Sequence, residues 1–247
     1  MPERLEPFVS PGAEWVGTER STHPVLIAAI HGGYWRARYG VAHLRPFCAA
    51  LASRGFPVAS LEYRRLGELG GGWPGTLDDI ESVLAALAVG ATGRALEVSG
   101  TLLVGHSAGG QLALWAASRA KVHSTRKLPV VGVVALAPVS DLVEASRRNL
   151  SGGVIREFLG GSPEEVPARY RQASPVELLP LGVPTVLVHG TDDEDVPYEM
   201  SPAYVERARA AGDEARLVTL KGGGHFDVIE PESRFWPQVL EAIESLT

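Results

Sequence analysis

Six short runs of β-favouring residues recur along the chain, at 25–30, 57–63, 101–104, 130–137, 184–188 and 215–220. Most are apolar throughout rather than alternating. That pattern belongs to strands covered on both faces, as in a parallel sheet. Helical patterns lie between them. Leu77, Ile80, Val83, Leu84 and Leu87 repeat at helical spacing, with Asp78, Asp79 and Glu81 near the start, where a helix dipole favours anions. Further helices are expected over 111–119, 201–211 and 231–246. Such alternation predicts an α/β fold, with a mostly parallel central sheet and helices on both faces. Right-handed crossovers then gather ligand chemistry at the C-terminal ends of the strands.

One stretch breaks the rhythm. Residues 138–183 separate two strands by about 45 residues, far beyond a usual connection. We read it as a cap-like insertion with one or two short helices, inside a single domain spanning 1–247. Composition agrees with a packed core: 45% of the 247 residues are hydrophobic and 21% charged. The net charge of −6 disfavours nucleic acid as a partner. A lone cysteine, Cys48, excludes an intrachain disulfide and sits in an apolar stretch, as a core residue would. The first ten residues lack a signal-peptide pattern, and the longest apolar stretch, 130–139, is about half a bilayer span. The expectation is a cytoplasmic protein with no membrane partner. A homodimer is left open.

The segment LLVGHSAGGQLALW carries the chemistry. An apolar run enters Gly105-His106-Ser107-Ala108-Gly109, and a helical pattern follows. Gly-x-Ser-x-Gly between a strand and a helix makes a sharp turn that lifts the serine hydroxyl above the sheet edge. A serine needs a base, and the base an orienting acid; in an α/β architecture of this kind the chain order should be Ser, then Asp or Glu, then His. His123, His189 and His225 follow Ser107. His123 lies in a polar stretch, and His189 ends an apolar run as a structural residue would. His225 follows three glycines in a loop between the last run and the last helix, so it is the expected base. The acid comes from Asp192, Asp193, Glu194 and Asp195 after the fifth run. We take Asp193, with Asp192 as the alternative, and give Asp227 a loop-bonding role.

The oxyanion formed at Ser107 needs preorganised donors. One is the N–H of Ala108. The others come from His31-Gly32-Gly33-Tyr34-Trp35, where glycines let the backbone approach. Gly32, Gly33 and Ala108 are therefore the candidate oxyanion hole. Tyr34, Trp35 and Trp73 are candidate substrate-binding walls, since large rings can stack on an aromatic leaving group. Arg36 and Arg38 are candidates for pairing with a substrate carboxylate. A metal hydrolase built on His31, His106 and His189 is the weaker alternative, because no His-x-x-x-His or Cys-x-x-Cys spacing occurs. No metal and no cofactor is called for.

Together, HGGYW, GHSAGG, GTDDEDVP and GGGHFD resemble the α/β-hydrolase family over nearly the whole chain. Within it they are similar to the kynurenine formamidase (arylformamidase) and small carboxylesterase branch, related to the hormone-sensitive-lipase group. That group usually reads His-Gly-Gly-Gly, and Tyr34-Trp35 in place of the third glycine leans towards the formamidase side. The resemblance implies triad roles for Ser107, Asp193 and His225, and oxyanion donors near Gly32, Gly33 and Ala108. The expected substrate is a small aryl formamide, with a short-chain ester and a non-catalytic ligand-binding homologue as alternatives. Many relatives carry a longer segment before the first run than the 24 residues here, which implies a more open site.

Overall fold

A computed structural model describes residues 12–16, 23–89, 98–120 and 128–247. His123 lies outside the described residues. Seven strands form one sheet in the order β1-β3-β2-β4-β5-β6-β7. They are β1 (Gly12–Val16), β2 (Val25–Ile30), β3 (Val58–Glu62), β4 (Gly100–His106), β5 (Val130–Leu136), β6 (Thr185–Gly190) and β7 (Ala215–Leu220). All neighbours are parallel except β1, which runs antiparallel to β3. The six expected runs are β2 to β7.

β1 was not legible. It is a five-residue edge strand containing a glycine and a glutamate, and all its residues are half-buried. An edge strand buries too little to need an apolar run. β4 also runs further than its apolar core, because Gly105 and His106 keep pairing with Ala135 and Leu136 of β5. The sheet therefore carries the chain right up to Ser107.

The parallel core explains the unbroken apolar runs. In β2, Leu26, Ala28 and Ile30 pack into one hydrophobic cluster and Val25, Ile27 and Ala29 into the other, with all six side chains buried. The first cluster includes residues of α2 (Gly75–Ala88), α3 (Ala108–Ala120) and α7 (Met200–Ala210). The second includes residues of α1 (Arg45–Ser53) and α8 (Trp236–Glu244). α1 was missed in sequence. It starts with a proline in its first turn and buries only Phe47, Cys48 and Leu51. Burial pushes the Cys48 thiol up to about 12, which keeps it an inert core group.

Residues 138–183 hold more than the one or two short helices expected: three α-helices, α4 (Leu142–Arg147), α5 (Val154–Leu159) and α6 (Pro167–Ala173), and two 3₁₀ turns, Leu150–Gly152 and Pro175–Leu178. Among the described residues no helix is long and apolar enough to cross a membrane.

Candidate active site

Ser107 sits at φ 56°, in the left-handed region that a non-glycine residue rarely adopts. The turn closes because its flanking glycines leave no room for a side chain. A methyl on Gly105 would run into the carbonyl oxygen of Gly109, and one on Gly109 into those of Ile30 and His31. Ser107 N–H donates to the Leu136 carbonyl at 2.8 Å, and Gln111 N–H donates to the Ser107 carbonyl at 3.1 Å. The serine is thus held from both sides, at the start of α3.

His225 lies in the same cleft as Ser107 and is 7% exposed. Its Nδ1 is 2.6 Å from Asp193 Oδ2. A carboxylate only accepts, so Nδ1 carries the proton and a neutral ring leaves Nε2 bare. Asp193 holds this geometry with all its lone pairs engaged. Oδ1 accepts from the N–H groups of Asp195 at 2.9 Å and Val196 at 2.8 Å. Oδ2 also accepts from His189 Nε2 at 3.0 Å. Burial pushes the Asp193 carboxyl upward, but hydrogen bonds from His189, His225 and Val196 outweigh it and hold the group well below the usual range.

His189 was expected as a structural residue, and the structure shows which one. It is fully buried; its Nδ1 accepts from Ser201 Oγ at 2.7 Å while Nε2 faces Asp193 and the Val196 carbonyl. The acid is thereby braced by a second histidine. His106, beside Ser107, donates from Nε2 to the His225 carbonyl at 3.0 Å, which ties the histidine loop to the serine turn. Burial first, then the neighbouring His225, pushes the His106 ring well below the ordinary imidazole value.

The loop after β2 reaches over Ser107. Gly32 lies so close that a side chain there would press on the His106 carbonyl and on Ser107 Cβ, at 2.9 and 3.0 Å. His31 Nδ1 lies 2.8 Å from the Gly32 carbonyl oxygen, and its Nε2 is 2.9 Å from Glu62 Oε1. The carbonyl and N–H of a trans peptide point opposite ways. Turning the Gly32 carbonyl towards His31 therefore turns the Gly33 N–H away from it. The N–H groups of Gly32, Gly33 and Ala108 donate none of the loop and turn hydrogen bonds of the described residues.

A family model described as BD-FAE matches residues 16–207. The chain belongs to the BD-FAE family. Among its relatives is the esterase LipC of Mycobacterium tuberculosis, 28% identical over 84% of this chain and 54% of that protein. Another is a probable isoprenylcysteine alpha-carbonyl methylesterase of Oryza sativa subsp. japonica, 27% identical over 82% of this chain and 52% of that protein. This BD-FAE member thus spans about half the length of both relatives. Solved structures share its fold. Esterase B from Lactobacillus rhamnosis, inhibited by a tributyrin phosphonate, superposes with a TM-score of 0.75 at 22% identity, over 92% of this chain and 76% of that one. A thermophilic esterase from Thermogutta terrifontis with propionate bound gives 0.72 at 20% identity, over 94% and 87%. The BD-FAE chain has the α/β-hydrolase fold.

Two expected pocket walls are elsewhere. Trp35 is fully buried, stacked on Phe158 of α5 with ring centres 4.4 Å apart, and its Nε1 donates to Gln111 Oε1 at 3.1 Å. It is a core residue, not a substrate wall. Trp73 lines a separate hollow of about 410 Å³ with Trp115, Arg119 and Arg171, away from Ser107. Its backbone N–H donates to the Phe158 carbonyl at 2.8 Å. Tyr34 does line the cleft, joined there by Tyr39, His43 and Phe226, which the sequence did not mark. Arg36 donates to the Ser151 carbonyl and pairs with Glu157 at 3.5 Å, and Arg38 lies over the Tyr39 ring. Asp192 accepts from Thr191 Oγ1, whereas Asp227 bonds the Gly224 N–H and Ser233 Oγ. The histidines weighed as metal ligands, His31, His106 and His189, each serve a different partner. One converging set of metal-binding groups occurs among the described residues, Asp193, Asp195 and His225, and it overlaps the acid–base pair.

Proposed function

We propose that this chain is a serine hydrolase that cleaves short-chain carboxylic esters through an acyl-enzyme. The observation that carries the proposal is the 2.6 Å contact of His225 Nδ1 with Asp193, in a cleft that also holds the strained Ser107. His225 Nε2 takes the Ser107 proton as Oγ bonds to the ester carbonyl carbon. The carbonyl oxygen becomes an oxyanion facing the N–H groups of Ala108 and Gly33, with Gly32 beside them. Collapse breaks the ester bond, and His225 returns the proton to the departing alcohol. Water then enters, gives its proton to His225 and bonds to the acyl carbon; the bond from that carbon to Ser107 Oγ breaks, His225 returns the proton to Oγ, and the acid leaves. Asp193 keeps the imidazole in the one tautomer that can do this.

The aryl formamide reading gives way to the ester. It leaned on Tyr34-Trp35 in place of a third glycine and on aromatic walls, and two of the three candidate rings face away from the cleft. The relatives and solved structures named above are described as esterases, which supports the ester reading. The test is kcat/KM for p-nitrophenyl acetate and N-formylkynurenine side by side, on the protein and on Ser107→Ala. Ester turnover in the parent that falls on the order of 10⁴-fold or more in a folded Ser107→Ala is the expected result. Unchanged turnover in that variant would remove the mechanism. A clear preference for the formamide would restore the other substrate. Absence of turnover in the parent would favour the ligand-binding homologue.

A further inference from the structure

We propose that the hollow lined by Trp73 and Trp115 is a second binding site, separate from the cleft at Ser107, and that it takes a free aromatic amino acid as its zwitterion. The proposal is independent of the hydrolase reading above.

The hollow measures about 410 Å³, against about 50 Å³ at Ser107, and the two share no lining residue. At roughly 10–15 Å³ for each water-sized group, it has room for an amino acid of about a dozen heavy atoms. Its aromatic walls are fixed. Trp115 of α3 is 7% exposed, and its Nε1 donates to the Gln172 carbonyl at 3.0 Å, which holds the indole in place. Trp73 is half-buried, and its N–H donates to the Phe158 carbonyl at 2.8 Å. Beside it Gly72 stands at φ 84°, where a side chain would press on that same carbonyl at 3.2 Å. Trp35 and Trp236 each pack on another ring. Trp73 and Trp115 pack on none among the described residues, so they remain available to a flat ligand.

Charge divides the lining by element. α2 brings Asp78 and Glu81, whereas Arg119 comes from α3 and Arg171 from α6. Glu81 and Arg119 offset each other at 3.9 Å, too far for a hydrogen bond. Arg119 Nε is buried without a hydrogen-bond partner, a state that a native structure seldom leaves without a reason. Asp78 and Arg171 are exposed, and their side chains form no hydrogen bond or ion pair among the described residues. The charge of Arg64 reaches Asp78, but that guanidinium is committed to Asp79 at 2.7 Å. One unpaired acid and one unpaired base thus stand on the same hollow. An ammonium group donates to the Asp78 carboxylate, and a carboxylate accepts from the Arg171 fork and from Arg119 Nε. A ligand of one sign would suit one of these groups and be repelled by the other. An uncharged sugar would cover the indoles but leave both charges without a counter-charge. A zwitterion answers both, and an aromatic side chain supplies the ring that the two indoles lack.

The test is fluorine NMR of 4-fluoro-L-phenylalanine titrated with the full chain, which should give a Kd on the order of 1 mM. The amine alone, 4-fluorophenethylamine, and the acid alone, 3-(4-fluorophenyl)propionate, should each bind about tenfold more weakly. Arg171→Ala and Asp78→Asn should each weaken the amino acid by about fivefold or more. Trp73→Ala should weaken it by about tenfold. The first two positions are exposed, so those variants decide the matter if Trp73→Ala does not fold. Absence of binding at about 20 mM overturns the proposal. So does equal binding of either half-molecule, which would make this a site for a single charge. Binding untouched by the folded variants would lie elsewhere and overturn it too, and tighter binding of cellobiose would replace the zwitterion with a sugar. Ester turnover is a separate readout, which Arg171→Ala should leave within about twofold of the parent.

Discussion

The two loops that frame Ser107 are held by different kinds of force. The loop after β6 is electrostatic. One carboxylate, Asp193, gathers donors from His189, His225, Asp195 and Val196, and its chain geometry follows from satisfying them. Charge-assisted hydrogen bonds of this sort are short, directional and strong. The loop after β2 combines ring packing with hydrogen bonds, His31 to Glu62 and Trp35 to Gln111. Trp35 stacks on Phe158, His31 stacks on Tyr63 with ring centres 4.3 Å apart, and residues 34 and 35 sit in strained backbone between them. One loop fails by losing a charge, the other by losing a shape. Tyr34 joins the two with a single hydrogen bond.

Substitutions can pull that contrast apart. Asp193→Asn should lower kcat by about 10⁴-fold, because the amide no longer enforces the His225 tautomer. Its fold should survive, as seen by circular dichroism. A kcat within tenfold of the parent would mean that the electrostatic loop does not serve the chemistry. Trp35→Ala should do the reverse. Truncating a fully buried indole costs about 3–5 kcal/mol of stability, measured by urea unfolding, while kcat falls far less than in Asp193→Asn. A loss under 1 kcal/mol would show that packing does not hold the loop.

Gln111→Leu sharpens the distinction at smaller scale. Gln111 accepts from Trp35 Nε1 and donates to the Ala173 carbonyl at 2.9 Å. Removing it orphans both buried partners, for about 2 kcal/mol. The loss should appear in unfolding and leave the Asp193 pair intact.

The smallest expected effect is a pH dependence. His106 is held neutral in the fold by burial, so the unfolded chain binds more protons below an ordinary imidazole pKa of about 6.5. Stability should therefore fall as pH drops below that value, by at most about 1.4 kcal/mol per pH unit for this one group. His106→Gln should flatten the decline in Tm between pH 7 and 5. Asp193 has the opposite origin and a different window. Its carboxyl is depressed in the fold, so its contribution is complete above about 3.9, the unfolded value, and is lost only as pH falls further. An Asp193→Asn decline that matched the parent between pH 7 and 5 would agree with both assignments.

Legibility followed the same division. The loop after β6 was readable because its chemistry lies in residue types: an acidic cluster after an apolar run contains an acid wherever the chain turns. Asp193 was taken from the four acids on its position in the loop, with Asp192 as the alternative, and the structure puts Asp193 against His225 and Asp192 on Thr191. The loop after β2 was readable as backbone only. Two glycines announced a close approach, and Gly32 does lie against Ser107. Which ring enters the cleft was not readable, since Tyr34 and Trp35 are adjacent, both aromatic, and nearly equal in φ. Tyr39 and His43 had no signal at all, because each reaches the cleft from a segment with no motif, and Phe226, though next to His225 in GGGHFD, was not singled out as a cleft residue.

The sequence by itself determined the parallel α/β order, the strand–serine–helix turn and the supply of a base and acids in the right succession. These depend on local periodicity and on residues whose chemistry travels with them. Only the tertiary structure decided the edge strand β1, the fate of Trp35 and Trp73, the bracing of Asp193 by His189, and the volume left at Ser107. Those depend on what lies opposite each side chain in space, and packing against residues as distant as Phe158 or Asp195 leaves no periodic trace along the chain.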